Sequence, residues 1–192
     1  MFVREKVIKA ILDSGENFMS GEQLSKKLGI SRTAVWKHIN ALREEGYNIE
    51  SVNKKGYRLA EKPDDILSSE NIAYNLPTEF IGKKVIHLDT VGSTNDYAKE
   101  IGNKVSGGTL IISEQQTKGK GRLGRVWKSK SGDGIWMSLI IKPKIEPYKA
   151  PFLTLVAGAS VVKALSNLGV EASIKWPNDI IVHNKKICGI LT

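Results

Sequence analysis

Gln116–Trp127 reads Q-T-K-G-K-G-R-L-G-R-V-W. Gly119, Gly121 and Gly124 make its backbone pliable, and Lys118, Lys120, Arg122 and Arg125 make it basic, with Lys128 and Lys130 just beyond. No acid falls between Glu114 and Asp133. Cations on a backbone that can approach closely suit an anionic group such as a phosphate. The letters also fit G-x-G-x-x-G, but a dinucleotide fingerprint opens a helix and has an acid about 20 positions on. Here the glycines lead through W-K-S-K-S-G-D-G into a strand. The extended pattern G-x-G-x-x-G-x-V matches a kinase glycine loop, yet no H-R-D or D-F-G follows. The G-x-x-x-x-G-K-[ST] phosphate loop is absent as well. What remains is a long basic loop between two strands, whose like charges repel until an anion neutralises them. A disordered surface loop or a second nucleic-acid contact fits the same letters.

Upstream, the first 62 residues predict three helices and a hairpin. Val3, Val7 and Ile11 recur on one face of a helix over 2–13. Ser20 with Gln23 three positions on forms a capping box for a second helix, which Gly29 ends. Ser31 caps a third, over 32–45, with Val35, Ile39 and Leu42 inward. Strands over 49–52 and 57–59, joined by N-K-K-G, form a wing. Helix-turn-helix plus wing is a DNA-binding arrangement. Its expected contacts are Ser20, Arg32, Thr33, Lys37, His38, Asn40 and Arg43, with Lys54 and Lys55 on the wing. This region holds 12 Lys/Arg against 8 Asp/Glu. A helical module for protein contacts is the plainer reading.

A-E-K-P-D-D at 60–65 reads as a linker, so the expected division is 1–62 and 63–192. The second part mixes a short helix over 68–74, a helix from Ser93 or Thr94 to Ile101, and a long helix within 147–168. Strands are expected over 84–88, 109–113, 134–141, 172–175, 180–183 and 186–191, giving an α+β class with a mixed sheet. In the long helix, Phe152, Val156, Ala159 and Val162 are the expected buried stripe.

The net charge of +9 over 192 residues points to an anionic partner. A lone cysteine, Cys188, and three scattered histidines exclude a disulfide framework and a Cys/His metal cluster. No signal peptide opens the chain, and no apolar run reads as a membrane span, so a cytoplasmic setting is expected.

Three further clusters share the second part. Ser93-Thr94-Asn95 sets two hydroxyls and an amide at a helix start, suited to an uncharged polar head group. Gln116 adds an amide at a strand end. Lys175-Trp176-Pro177-Asn178-Asp179 puts a cation, an aromatic and an amide on one turn, and Lys186 and Gly189 lie on the hairpin after it. Capping, packing or turn chemistry explains each cluster taken alone.

Taken together, the winged helix, S-T-N, Q-T-x-G-x-G-R-x-G-R-x-W, K-W-P-N-D and K-K-x-x-G-I-L, in that order, resemble the biotin–protein ligases. The likeness is to the bifunctional bacterial type that is also the biotin operon repressor. The resemblance implies activation of biotin by ATP, with Mg²⁺, to biotinyl-5′-adenylate. Transfer to a lysine of a biotin carboxyl carrier protein follows. It also implies operator binding and a homodimer when the adenylate is bound. It places Ser93, Thr94, Asn95 and Gln116 on the ureido head of biotin. Lys120, Gly121 and Arg122 would fold over biotin and adenylate. Trp127 would act as an apolar lid, and Lys186, with Gly189 beside it, would meet the reacting oxygens. Gly119, Arg122, Arg125, Lys175 and Asn178 are implied on the nucleotide side, and Arg122 and Lys186 as catalytic. Lys120 departs from the family's usual arginine. The family continues with further strands and a small β domain, so the resemblance, with the stop at Thr192 in what reads as a strand, implies a chain truncated at its C-terminus. A biotin-responsive repressor without ligase activity is the alternative that implies, and lipoate is the alternative acid.

Overall fold

The computed structural model describes residues 3–61 and 66–192. Most of the predicted linker, 62–65, lies outside the described residues. The chain divides into two compact units. One runs to His87 and adds Gly108–Ile112; the other is Leu88–Gly107 with Ser113–Thr192.

The first unit begins with α1 (Val3–Asp13), α2 (Gly21–Leu28) and α3 (Arg32–Glu44). Each start has a local cause. Ser20 Oγ accepts from Gln23 N at 3.1 Å while Ser20 N donates to Gln23 Oε1 at 2.7 Å, closing the predicted capping box. Gly29 ends α2 in the left-handed region, at φ 66°. Ser31 Oγ then accepts from Ala34 N, so α3 starts one residue later. Val7, Ile8, Ile11, Leu24, Val35, Ile39 and Leu42 bury completely or nearly so and form the core of the three helices.

β1 (Ile49–Val52) and β2 (Gly56–Leu59) pair antiparallel, Ile49 opposite Leu59 and Val52 opposite Gly56. The turn needs φ 64° at Lys54 and φ 114° at Gly56. A Cβ on Gly56 would enter the Met19 carbonyl, so both conformation and space require glycine there. α4 (Ser69–Asn75) follows, capped by Ser68 Oγ, which also bonds the Tyr47 hydroxyl at 2.6 Å.

β3 (Val85–Val91), β4 (Leu110–Gln116) and β5 (Trp136–Leu139) form one sheet in that order. α5 (Thr94–Ile101) sits between β3 and β4 in the chain, and the basic loop between β4 and β5. α6 (Pro151–Asn167) leads to an antiparallel sheet of β6 (Ser173–Lys175), β7 (Asp179–Val182) and β8 (Lys185–Gly189). The hairpin turn between β7 and β8 is His183-Asn184, at φ 47° and 62°. Asn and His tolerate this region better than most side chains.

Two expectations fail at α6. Phe152 and Val156 are 62% exposed, so they do not line a buried stripe. The packed side centres on Gly158, which lies against the Ile174 and Ile190 side chains. The helix is apolar on several faces, and periodicity alone selects none. Moreover, Pro147–Asn167, at 21 residues and mean hydropathy 1.2, is long and apolar enough to cross a membrane by length and composition. That corrects the expectation that no stretch reaches this threshold.

Candidate functional site

The second unit gathers its polar groups at the start of α5, the end of β4 and the base of the basic loop. Thr94 N and Thr94 Oγ1 both donate to Gln116 Oε1, at 2.8 and 3.1 Å. Ser138 Oγ on β5 donates to Thr94 Oγ1 at 2.9 Å, and Gln116 Nε2 donates to Ser129 Oγ at 2.9 Å. Ser93, Thr94 and Ser129 are each at most 4% exposed. Buried hydroxyls and amides are costly unless satisfied, and here they satisfy one another. Ser93 Oγ itself caps α5, accepting from Asp96 N at 3.4 Å.

The loop is pinned at both shoulders. Thr117 N and Lys118 N donate to Val91 O and Gly92 O, at 2.9 and 2.7 Å. Trp127 N donates to Gly119 O at 2.9 Å and Gly121 N to Arg125 O at 2.7 Å, while Lys120 and Val126 form a bridge. So the segment is a narrow hairpin-like loop. Its tip, Leu123-Gly124, is in the left-handed region, and Leu123 is 91% exposed. Gly119 is required for space: a Cβ there would enter the Trp127 carbonyl and crowd Ser129 Oγ.

Two of the loop's cations, Lys120 and Arg122, are tethered. Lys120 Nζ lies 2.6 Å from Asp96 Oδ2. Arg122 Nη1 donates to Asn178 Oδ1 at 3.1 Å, and Asn178 Nδ2 donates to Ile190 O at 3.0 Å. Lys186 Nζ stands 5.0 Å from the centre of the Trp127 ring and 2.7 Å from Asp179 Oδ1. That oxygen is buried and out of line for a hydrogen bond, so the pair is a charge contact, not a directional one. Gly189 leaves room for both neighbours. A Cβ would come within 3.2 Å of the Trp127 ring and 3.3 Å of Lys186 Nζ. Nearby, burial pushes the Cys188 thiol up; Lys186 pulls it back and Asp179 adds to the rise. The chain's sole cysteine is therefore no thiolate at neutral pH.

Trp127 joins the two halves. Its carbonyl accepts from Ser129 Oγ at 3.3 Å, and its ring faces Lys186 and Gly189. The structure thus links Thr94, Gln116, Gly119, Trp127, Lys186 and Gly189, and couples Arg122 to Asn178. Asn95 Nδ2 is turned to Leu191 O at 3.2 Å, bracing α5 against the segment that follows β8. Lys175 and Arg125 are exposed, and no side-chain partner holds either among the described residues. Sequence reasoning missed Asp96, Asp179, Ser129 and Ser138, which hold the residues it named. Three of them stood within quoted motifs or beside them, but only the tertiary pairing gives them a job.

In the first unit, Arg32, Thr33 and Lys37 are exposed on α3, with His38 and Asn40 half-buried. Arg43 is occupied: Nε and Nη2 donate to Ile49 O at 2.9 and 2.7 Å, and Nη2 to Ser51 Oγ at 2.7 Å. It fastens the wing to α3. Phe18 carries Arg58 at 4.6 Å and Lys55 at 5.9 Å from its ring centre. Ser20 is engaged in the capping box. Trp36, 54% exposed on α3 between Arg32 and Asn40, was not foreseen.

Comparison with known proteins agrees with both units. Residues 88–192 match the model of the biotin/lipoate A/B protein ligase family, and residues 3–58 match an HTH domain. The chain is 47% identical to the bifunctional ligase/repressor BirA of Bacillus spizizenii, over 99% of this chain and 59% of that protein. It is 38% identical to the protein of the same name from Escherichia coli, over 95% of this chain and 55% of that one. The chain thus spans somewhat over half the length of these relatives. Among solved structures it resembles the biotin protein ligase from Aquifex aeolicus in complex with biotin and ATP. That match has a TM-score of 0.52 and 42% identity, covering 57% of this chain and 46% of that chain. With over half its residues matched by the family model and the polar, basic and aromatic motifs assembled as described, the chain belongs to the biotin/lipoate A/B protein ligase family, behind an HTH domain.

Proposed function

We propose that this chain carries the biotin-activating machinery of a biotin–protein ligase, joined to a DNA-binding repressor module. The functional division is taken at 1–62 and 63–192. The observation that carries the reading is the meeting at Trp127 of a buried hydroxyl–amide set with a lysine, Lys186. Thr94, Gln116 and Ser129 offer acceptors and donors without net charge, which suits a cyclic urea. Ser93 and Asn95 frame that set. Lys120 and Arg122, held by an acid and an amide in the free chain, are available to an anion that outcompetes those partners.

In the proposed reaction a biotin carboxylate oxygen attacks the α-phosphorus of ATP. The bond from that phosphorus to the bridging oxygen breaks and pyrophosphate leaves. A lysine amine of the carrier protein then attacks the resulting acyl carbon, and AMP leaves. The protein supplies positioning and charge, so no side-chain nucleophile is required. Arg122 and Lys186 face the developing charge. Gly119, Gly121 and Gly189 allow close approach of the backbone. Arg125, Lys175 and Asn178 serve the nucleotide. Trp127 shields the acid. The described residues hold no cluster of three metal-ligating side chains, so Mg²⁺ would be held chiefly by the nucleotide's phosphates. There it would share their negative charge.

Residues 1–62 are assigned to operator DNA, and a cytoplasmic setting and an adenylate-dependent homodimer complete the proposal. The test is incubation with biotin, MgATP and an apo biotin carrier domain, followed by mass spectrometry. Biotinyl-adenylate and biotinyl-lysine are the expected products. Biotin-dependent DNA binding with no adenylate would reassign the chain as a sensor, and preference for lipoate over biotin would change the acid.

A further inference from the structure

We propose that Trp36 contacts a thymine 5-methyl group in the major groove and gives α3 sequence selectivity at that base pair. The inference rests on the DNA-binding reading of the first unit.

α3 spends Val35, Ile39 and Leu42 on the core, each at most 2% exposed. Trp36, the next residue after Val35, is the largest apolar side chain on the helix and is 54% exposed. A single exposed apolar side chain needs no explanation in itself. The position of this one does. By helical spacing it lies one turn after Arg32 and Thr33 and one turn before Asn40, and Lys37 is the next residue in sequence. No acid occurs on α3 before Glu44, and Lys54 and Lys55 stand on the wing of the same unit. An apolar group on a helix that carries cations and no acid before its last residue is poorly suited to a neutral apolar partner, whose docking would strip water from those charges. It suits a polyanion that presents an apolar group among its charges.

Duplex DNA does so. On the base edges of the major groove, the thymine methyl is the apolar group that side chains contact. The occupants of neighbouring positions fit the same surface. Arg32 and Lys37 can meet phosphates or guanine, and Asn40 can meet adenine, the partner of thymine. No hydrogen bond or ring contact among the described residues holds Trp36, so the contact costs no internal bond.

The experiment selects duplexes from a random-sequence pool with the 192-residue chain. Each thymine in the selected duplex is then replaced singly by uracil, which removes only the methyl. Binding is measured for the unmodified chain, Trp36→Ala and Trp36→Phe. At one thymine, uracil should weaken the unmodified chain about three- to fivefold, the worth of one buried methyl. Trp36→Ala should lose a similar factor on the thymine duplex and then no more on uracil, while Trp36→Phe keeps the discrimination. Affinity for random-sequence duplex and its salt slope should not change, because phosphate contacts set both. Circular dichroism should show each variant folded. If Trp36→Ala binds DNA and keeps the full uracil penalty at every thymine, the assignment of Trp36 is overturned while the DNA-binding reading stands. If no duplex is bound by any of the three proteins, both fall together.

Discussion

Gln116 receives both the amide and the hydroxyl of Thr94 on a single oxygen, at 2.8 and 3.1 Å. The contact fixes the start of α5 against the end of β4, and Ser138 adds β5 as a third element by donating to the same Thr94 hydroxyl. Thr94→Val keeps the shape and removes the hydroxyl. Ser138 then loses its acceptor and Gln116 one of its donors, both near a residue only 3% exposed. The expected loss is about 1–2 kcal/mol in urea unfolding. If the group also frames the vitamin, biotin affinity falls with it in calorimetry. A variant as stable as the parent would show the hydroxyl to be dispensable to the scaffold.

Two glycines of the basic loop answer to different constraints. Gly119 has an ordinary backbone conformation but no room, because an added Cβ would meet the Trp127 carbonyl, Ser129 Oγ at 2.8 Å and Gln116 Nε2 at 3.3 Å. Gly124 has open space around it but φ 73°. Gly119→Ala should therefore cost about 2–3 kcal/mol, toward the upper end for overpacking. Gly124→Ala should cost about 1 kcal/mol from conformation alone. Chemical denaturation orders the two, and equal losses would contradict the close packing at the loop's base.

The sequence made the helix starts legible because their causes are local. Ser20, Gln23 and Ser31 act within three residues of themselves. The basic loop, the S-T-N start and the W-P-N-D turn were legible as residue types. How they are held was not. Ser138 meets Thr94 across 44 positions and Arg122 meets Asn178 across 56, and nothing in either neighbourhood signals the other. α6 was misread for a related reason. Its apolar residues run around the helix, and the choice of face was made by Ile174 and Ile190, which follow it in the chain.

Arg43 separates bracing from contact. Its guanidinium donates to Ile49 O and Ser51 Oγ, so its charge is engaged within the wing. Arg43→Met keeps the stem and removes these bonds. A loss of about 1.5–3 kcal/mol in the stability of the first unit is expected. The salt slope of DNA binding, measured where the variant is folded, should hold. Lys54→Ala and Lys55→Ala should each lower that slope by about 0.9 where the lysine meets a phosphate. A drop in slope for Arg43→Met with unchanged stability would make Arg43 a phosphate contact.

Glu70 gives a pH signature to the first unit. Burial pushes its carboxyl above the ordinary 4.5; the Glu5 charge adds to the rise, while a backbone hydrogen bond, His87 and Lys9 oppose it. In the unfolded chain the group ionises near that ordinary value. Below it, both states are protonated and the burial of charge costs nothing. As pH rises through the folded pKa, the folded state carries the ionised group in poorer solvation than the unfolded state does, and stability is lost. Glu70→Gln removes the ionisation. The variant should melt higher than the parent at pH 7, and the gap should close as pH falls toward 4. The first turn of α4 opposes this, since a negative charge there favours the helix. Thermal melts of both proteins across pH 4–7 decide which wins: a variant that melts lower at pH 7 would show that the helix terminus outweighs burial.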